Sequence, residues 1–265
     1  MMGNAMKRLC LAALLLVYGG SALAGGQAVK AVHYQLGYKS GDIYTVGGSD
    51  SSVNAFDGSV TFPLVGYLGG SVSGYYDHYS LATNFESQGS GLTLANTLPH
   101  CIVNEKGLAA NLFLRDPSLG RVSAGYGEGQ AMAHCQSTFL ASGGPKLDTK
   151  SYDAAAQYYL RRFTIGVSWD QTRFNSLDRF TSDSLTGSWY PTNILRVDLS
   201  TYGQDLKNTY SIGVEYQPEF FDNSSGLWAS YTRRHQTVTN NIIMVGIRYY
   251  FNRRINLLER DREYR

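Results

Sequence analysis

Short turns and long links alternate along this chain, and the segments between them repeat their side chains at period two. Val65-Gly66, Asp116 to Gly120, Arg161-Arg162 and Pro191-Thr192 are short connections. The links between them are longer, above all Ser80 to Lys106 and Glu128 to Lys150. In the segments themselves Leu108, Ala110, Leu112 and Leu114 alternate with Ala109, Asn111, Phe113 and Arg115, and Phe163, Ile165, Val167 and Trp169 with Thr164, Gly166, Ser168 and Asp170. Alternation of this kind marks strands with two different faces. Twelve such segments can be laid out, from about Ala31 to Phe251, with ten as the alternative count. A soluble sandwich has no reason to keep short turns at one end and long links at the other, whereas a closed antiparallel transmembrane barrel does. The link Pro218 to Ser225 is an exception, being long at the short-turn end.

The chemistry of a bilayer fits the same map. Every backbone N–H and C=O in hydrocarbon needs a partner, so strands must close on themselves. Strands of about 9 to 11 residues span the apolar layer. Trp169, Trp189, Tyr190, Tyr202, Tyr210 and Tyr216 fall near segment ends, where aromatic girdles sit. The start of the chain, Met6-Lys7-Arg8, then the apolar run Leu9 to Val17, then Ser21-Ala22-Leu23-Ala24-Gly25, reads as a signal peptide over residues 1–24. Its removal takes away Lys7, Arg8 and no acid, which turns the full-chain balance of 23 basic and 21 acidic residues into 21 against 21. A neutral mature chain argues against nucleic acid as a partner. The barrel is then expected over residues 25–251, followed by a charged periplasmic tail over 252–265 with Ile255, Leu257 and Leu258 as its apolar part. That tail is either a short helix against the barrel mouth or cell wall, or a solvated end.

The last apolar segment, Asn240 to Phe251, carries Gly246, Tyr249 and Phe251. It resembles the closing strand of bacterial outer-membrane β-barrels, which the barrel-assembly machinery reads. It departs from that pattern at Met244 and in the tail that follows. More widely, Leu112-Phe113-Leu114-Arg115-Asp116-Pro117, Ala124-Gly125-Tyr126-Gly127, Trp189-Tyr190-Pro191-Thr192, Glu215-Tyr216-Gln217-Pro218 and Asn256-Leu257-Leu258-Glu259-Arg260 resemble an uncharacterised porin-like outer-membrane family. The resemblance implies a barrel in the outer membrane of a Gram-negative bacterium, with outer-membrane lipids, lipopolysaccharide and the assembly machinery as partners. It implies no settled activity.

On this map Arg121, Asp170, Arg196, Asp198, Glu215 and Arg248 point inward, where charges are tolerated. They either tune which small solutes pass or pair across a filled interior. The expected role is passive passage of small hydrophilic solutes, with periplasmic termini and the long extracellular loops narrowing the outer mouth. A structural or surface-interaction barrel with a plugged lumen and a lipid-modifying enzyme are the alternatives. For an enzyme the nearest site is Asp77-His78-Tyr79-Ser80, where neighbouring residues point to opposite faces. No catalytic residue and no cofactor is therefore expected. His100-Cys101 and His134-Cys135 offer four zinc ligands in principle, but adjacent ligands without a spacer are unusual. Both cysteines fall in expected loops, and an exported protein can join Cys101 to Cys135 as a disulfide, so no metal is expected.

Overall fold

The computed structural model describes residues 28–264 except 46–49, 82–100, 136–145, 176–178, 204–208, 236–238 and 252–254. The expected signal peptide over 1–24 and His100 lie outside these residues, as do the side chains of Cys101 and Cys135. Among the described residues twelve strands follow one another: β1 (His33–Thr45), β2 (Ser51–Val65), β3 (Leu68–Leu81), β4 (Cys101–Asp116), β5 (Gly120–Cys135), β6 (Lys146–Leu160), β7 (Phe163–Phe174), β8 (Phe180–Thr192), β9 (Leu195–Gly203), β10 (Thr209–Tyr216), β11 (Ser225–His235) and β12 (Thr239–Phe251). Each pairs antiparallel with its sequence neighbours, and β1 pairs with β12 from Tyr34↔Phe251 to Thr45↔Asn240, which closes the barrel. The count of twelve holds and the count of ten does not.

The outer wall is apolar, as the period-two pattern requires. Tyr34, Leu36, Leu108, Leu112, Ile165, Leu199, Ile212, Val245 and Ile247 are all exposed on it. With no buried sandwich core available to them, only lipid matches such a surface. Phe163 and Trp189 stack at 6.3 Å near the short-turn rim. Two residues expected in the girdles are not there. Tyr190 follows outward Trp189 and is therefore turned inward, with 1% exposure. Tyr202 sits opposite Ser184 and Thr209 on the inward row.

The strands at the long-link end are longer than the sequence pattern suggests. β4 and β5 are each 16 residues, where a bilayer crossing takes about 9 to 11. Pairing runs on through Lys106↔Gln130 to Cys101↔Cys135, and β6 joins it from Lys146. Both cysteines are thus in strands rather than loops. The outward positions here include Asn104, Lys106, Glu128, Gln130, Lys146, Asp148 and Lys150, with Ile102 and Met132 as apolar exceptions, so the strict apolar alternation stops although the hydrogen-bonded ladder does not. This stretch stands clear of the hydrocarbon.

After Phe251 the chain returns as a helix, α1 (Leu257–Glu263). Asn256 caps it, its Oδ1 accepting from the Glu259 N–H at 2.9 Å, which is the Asn-x-x-Glu form of a capping box.

Candidate functional site

Two strands carry small side chains on their inward face. On the inward face β5 contributes Ser123, Gly125, Gly127 and Gly129, and β8 contributes Ser182, Ser184, Thr186 and Ser188. The glycines of the Gly125 to Gly129 run lie inside a strand and make room for neighbouring side chains. A Cβ on Gly129 would sit 2.9 Å from the Tyr75 hydroxyl, and one on Gly107 2.6 Å from its ring. Tyr75 thereby reaches Glu105, donating to it at 3.0 Å. Nearby, Asp57 lies against Lys39 at 3.3 Å and over Gly37.

All six charges expected to line the lumen fall on inward rows, but they divide into groups. Arg196, Asp198, Glu215 and Arg248 form one network near the short-turn mouth. Arg196 meets Asp198 and Glu215, each at 2.9 Å, and Arg248 meets the same Glu215 at 2.8 Å. Tyr250 donates its hydroxyl to the other oxygen of Glu215, and Ser188 donates to Asp198 at 2.6 Å. Glu215 is 0% exposed, so a carboxylate there depends on these partners. Asp170 stands apart on β7, directly opposite Asp153, and accepts from Ser168 at 3.1 Å. Arg121 is placed over the Phe113 ring at 4.1 Å, with Arg115 against the same ring at 4.8 Å.

The tail completes this end of the barrel, a feature the sequence pattern left open between helix and solvated end. Asp261 of α1 accepts from Arg196 Nη1 at 2.5 Å and from the Tyr190 hydroxyl at 2.7 Å. Arg260 is 0% exposed, lies 3.5 Å above the Tyr250 ring, and donates to the Asn223 carbonyl at 2.9 Å. Arg262 donates to the carbonyls of Leu160 and Phe163, the latter at 3.2 Å. The Leu257 N–H donates to the Asn193 carbonyl at 2.8 Å. The helix therefore touches the β6–β7, β8–β9 and β10–β11 connections. The opposite arc is taken by the segment before β1. There the Ala28 N–H donates to Gly66, Arg115 reaches the Ala28 carbonyl at 3.4 Å, and Val29 packs with Phe113. The two segments join each other, as the Lys30 N–H donates to the Glu263 carbonyl at 3.2 Å and the Lys30 ammonium pairs with the Glu263 carboxylate. The side-chain hydrogen bond to the Glu263 carboxylate holds the Lys30 ammonium above its ordinary range, while burial pushes the Arg260 guanidinium below its own.

The long Pro218 to Ser225 link now has a structural reason. Asp222 and Asn223 adopt left-handed backbone, with φ of 52° and 58°, a conformation that Asp and Asn tolerate better than most residues. Through this turn the Asn223 carbonyl faces Gln217 and Arg260 together.

The other expected candidates are scattered. His78 Nδ1 is 2.7 Å from Asn104 Oδ1, and Tyr76 donates to the same oxygen. His78 shares an outward row with Ser80, while Asp77 lies inward, so the three do not converge on one face. Gly246 lies against β1, and Tyr249 and Phe251 face outward with rings 4.7 Å apart. Tyr190, Tyr250, Arg260 and Asp261 are the members of the mouth network that sequence reasoning missed. The Asn256 to Glu259 capping box was the available signal.

No protein-family model matches the sequence, and no curated protein matches it. Solved structures share the fold. An outer membrane channel from Pseudomonas putida F1 superposes with a TM-score of 0.59 at 12% identity, covering 84% of this chain and 96% of that one. The β domain of the Bordetella autotransporter BrkA gives 0.51 at 12% identity over 83% and 99%. The KdgM porin gives 0.50 at 8% identity over 82% and 99%. This chain therefore has the fold of outer-membrane β-barrels.

Proposed function

We propose that the protein is a porin-like passive channel for small hydrophilic solutes in the outer membrane of a Gram-negative bacterium. One observation carries the reading: a closed wall, apolar outside, encloses an inner face rich in serine, glycine, threonine and mixed-sign charges, with tyrosines among them. Such a face is wasteful in a packed interior and suited to a wet lumen. In this reading the short-turn end and both chain termini lie in the periplasm and the extended β4–β6 end faces outward. Lys106, Lys146 and Lys150 then stand at the level of the lipopolysaccharide headgroups. A signal peptide over 1–24 exports the chain, and Gly246, Tyr249 and Phe251 are what the assembly machinery reads. The channel and the porin among the structural neighbours support the same choice.

Conductance of the purified, folded protein in planar lipid bilayers tests it. Discrete unitary steps in potassium chloride are expected. A folded barrel that stays silent at every voltage would overturn the channel reading in favour of a plugged structural barrel.

A further inference from the structure

The helix that crosses the short-turn mouth is charged almost throughout: Glu259, Arg260, Asp261, Arg262 and Glu263 occupy five consecutive positions. Its attachments to the wall are hydrogen bonds and ion pairs, chiefly to carbonyls of the rim turns and to Arg196 and Tyr190. Ile255, Leu257 and Tyr264 are the large apolar or aromatic side chains it buries. A permanent plug would be expected to rest on apolar packing, which water cannot replace.

The wall is built to survive the helix leaving. Arg196 is the principal charged partner of Asp261, and it retains Asp198 and Glu215, each at 2.9 Å, when Asp261 departs. Arg248 retains Glu215. No wall charge is stranded, so the large penalty for breaking a buried pair does not arise on that side. The carbonyls of Phe163, Asn193 and Asn223 lie at the mouth, where water can take over their hydrogen bonds. The helix, once out, exposes five charged side chains that water solvates well, against the three apolar or aromatic ones of Ile255, Leu257 and Tyr264.

We infer that α1 is a gate on the channel, seated in the mouth when closed and latched there by Asp261 on Arg196 and Tyr190. The inference rests on the channel reading and adds its regulation. A seated helix bars the periplasmic mouth, and withdrawal opens it without disturbing the barrel.

The test uses the full chain in planar bilayers, with folding checked by the slower migration of heated over unheated barrel in detergent gels. Wild type is compared with Asp261→Asn, Asp261→Arg and Asp261→Glu. The first two remove or reverse the latch and are expected to raise the open fraction about tenfold, a shift well within what one differential ion pair supplies. Asp261→Glu keeps the charge and is expected to stay near wild type. If a latch variant fails to fold, Arg262→Ala replaces it, since it loses the β6–β7 turn contacts and is expected to shift the open fraction in the same direction. Equal open fractions in wild type and latch variants would overturn the gate while leaving the channel in place. Silence from every folded protein, wild type included, would overturn the channel reading itself, and the gate with it.

Discussion

Cys101 and Cys135 stand directly opposite each other on the last rung of the β4–β5 ladder, five residues beyond Lys106 and Gln130. Opposed residues in an antiparallel pair have Cα atoms about 4.5 or 5.5 Å apart, and disulfides span about 4.4 to 6.8 Å. The register therefore supports the bond that the sequence offered only as two loop cysteines. Protein unfolded without reductant is expected to show no free thiol, and reduction to cost about 2 to 4 kcal/mol of stability. Two titratable thiols in the unreduced, unfolded protein would refute the bond.

Gly246 and the aromatics beside it are expected to fail in different ways. A Cβ on Gly246 would lie 2.4 Å from the Tyr38 carbonyl oxygen and 3.2 Å from the Lys39 Cα, both backbone atoms of the partner strand at the closing seam. Gly246→Ala must push β12 away from β1, so refolding into lipid vesicles should drop sharply even without cellular machinery. Tyr249 and Phe251 face outward with their rings against each other. Tyr249→Ala and Phe251→Ala should refold nearly as well as wild type but accumulate poorly in the outer membrane of cells. Normal cellular levels of both variants would remove their role as an assembly signal.

Charge on the middle of the lumen is expected to set ion preference. Asp153 and Asp170 are register partners on the inward face, so two like charges lie side by side. Asp170→Asn should lower the preference for cations, read as a shift of the reversal potential in a potassium chloride gradient. Relief of the like-charge pair should also add about 0.5 kcal/mol of stability. Arg121→Gln should move the reversal potential the other way. Unchanged reversal potentials in both variants would place the selective step elsewhere.

The parts of this fold legible in the sequence are those governed by the bilayer. Between Leu108 and Leu114 lipid on one side and lumen on the other force strict alternation, so strand, face and turn can be read directly. Beyond Lys106 water bathes both faces, and β4 continues without any pattern to announce it. That is why the cysteines looked like loop residues. The mouth was hidden for a different reason. Arg196, Glu215 and Arg248 declare their inward phase by alternation, but nothing in β9 or β10 says that Asp261 will reach them. A seven-residue helix has too little periodicity to read, and only its Asn256 cap marks it. Tyr190 reads as a girdle residue in the sequence because tyrosine suits both an interface and a buried hydrogen bond.

Glu215 offers the sharpest stability test of that mouth network. It is fully buried, accepts from Arg196 and Arg248 on one oxygen and from Tyr250 on the other, and has the bare backbone of Gly226 beside it. Glu215→Gln keeps the shape but leaves Arg248 without its carboxylate and Arg196 with fewer anions, a change of the kind that costs about 3 to 5 kcal/mol in a buried pair. Gly226→Ala should act on the same group indirectly, because the added Cβ would lie 2.8 Å from Oε1 and must displace the carboxylate. Arg248→Gln should be milder, since Glu215 keeps Arg196. If the two share one interaction, the double variant Glu215→Gln, Arg248→Gln will be less destabilised than the sum of the singles by about 1 kcal/mol or more. Urea unfolding in lipid vesicles reads all four variants. Strict additivity would mean that Glu215 and Arg248 do not depend on each other, and the network would reduce to the Arg196 contacts alone.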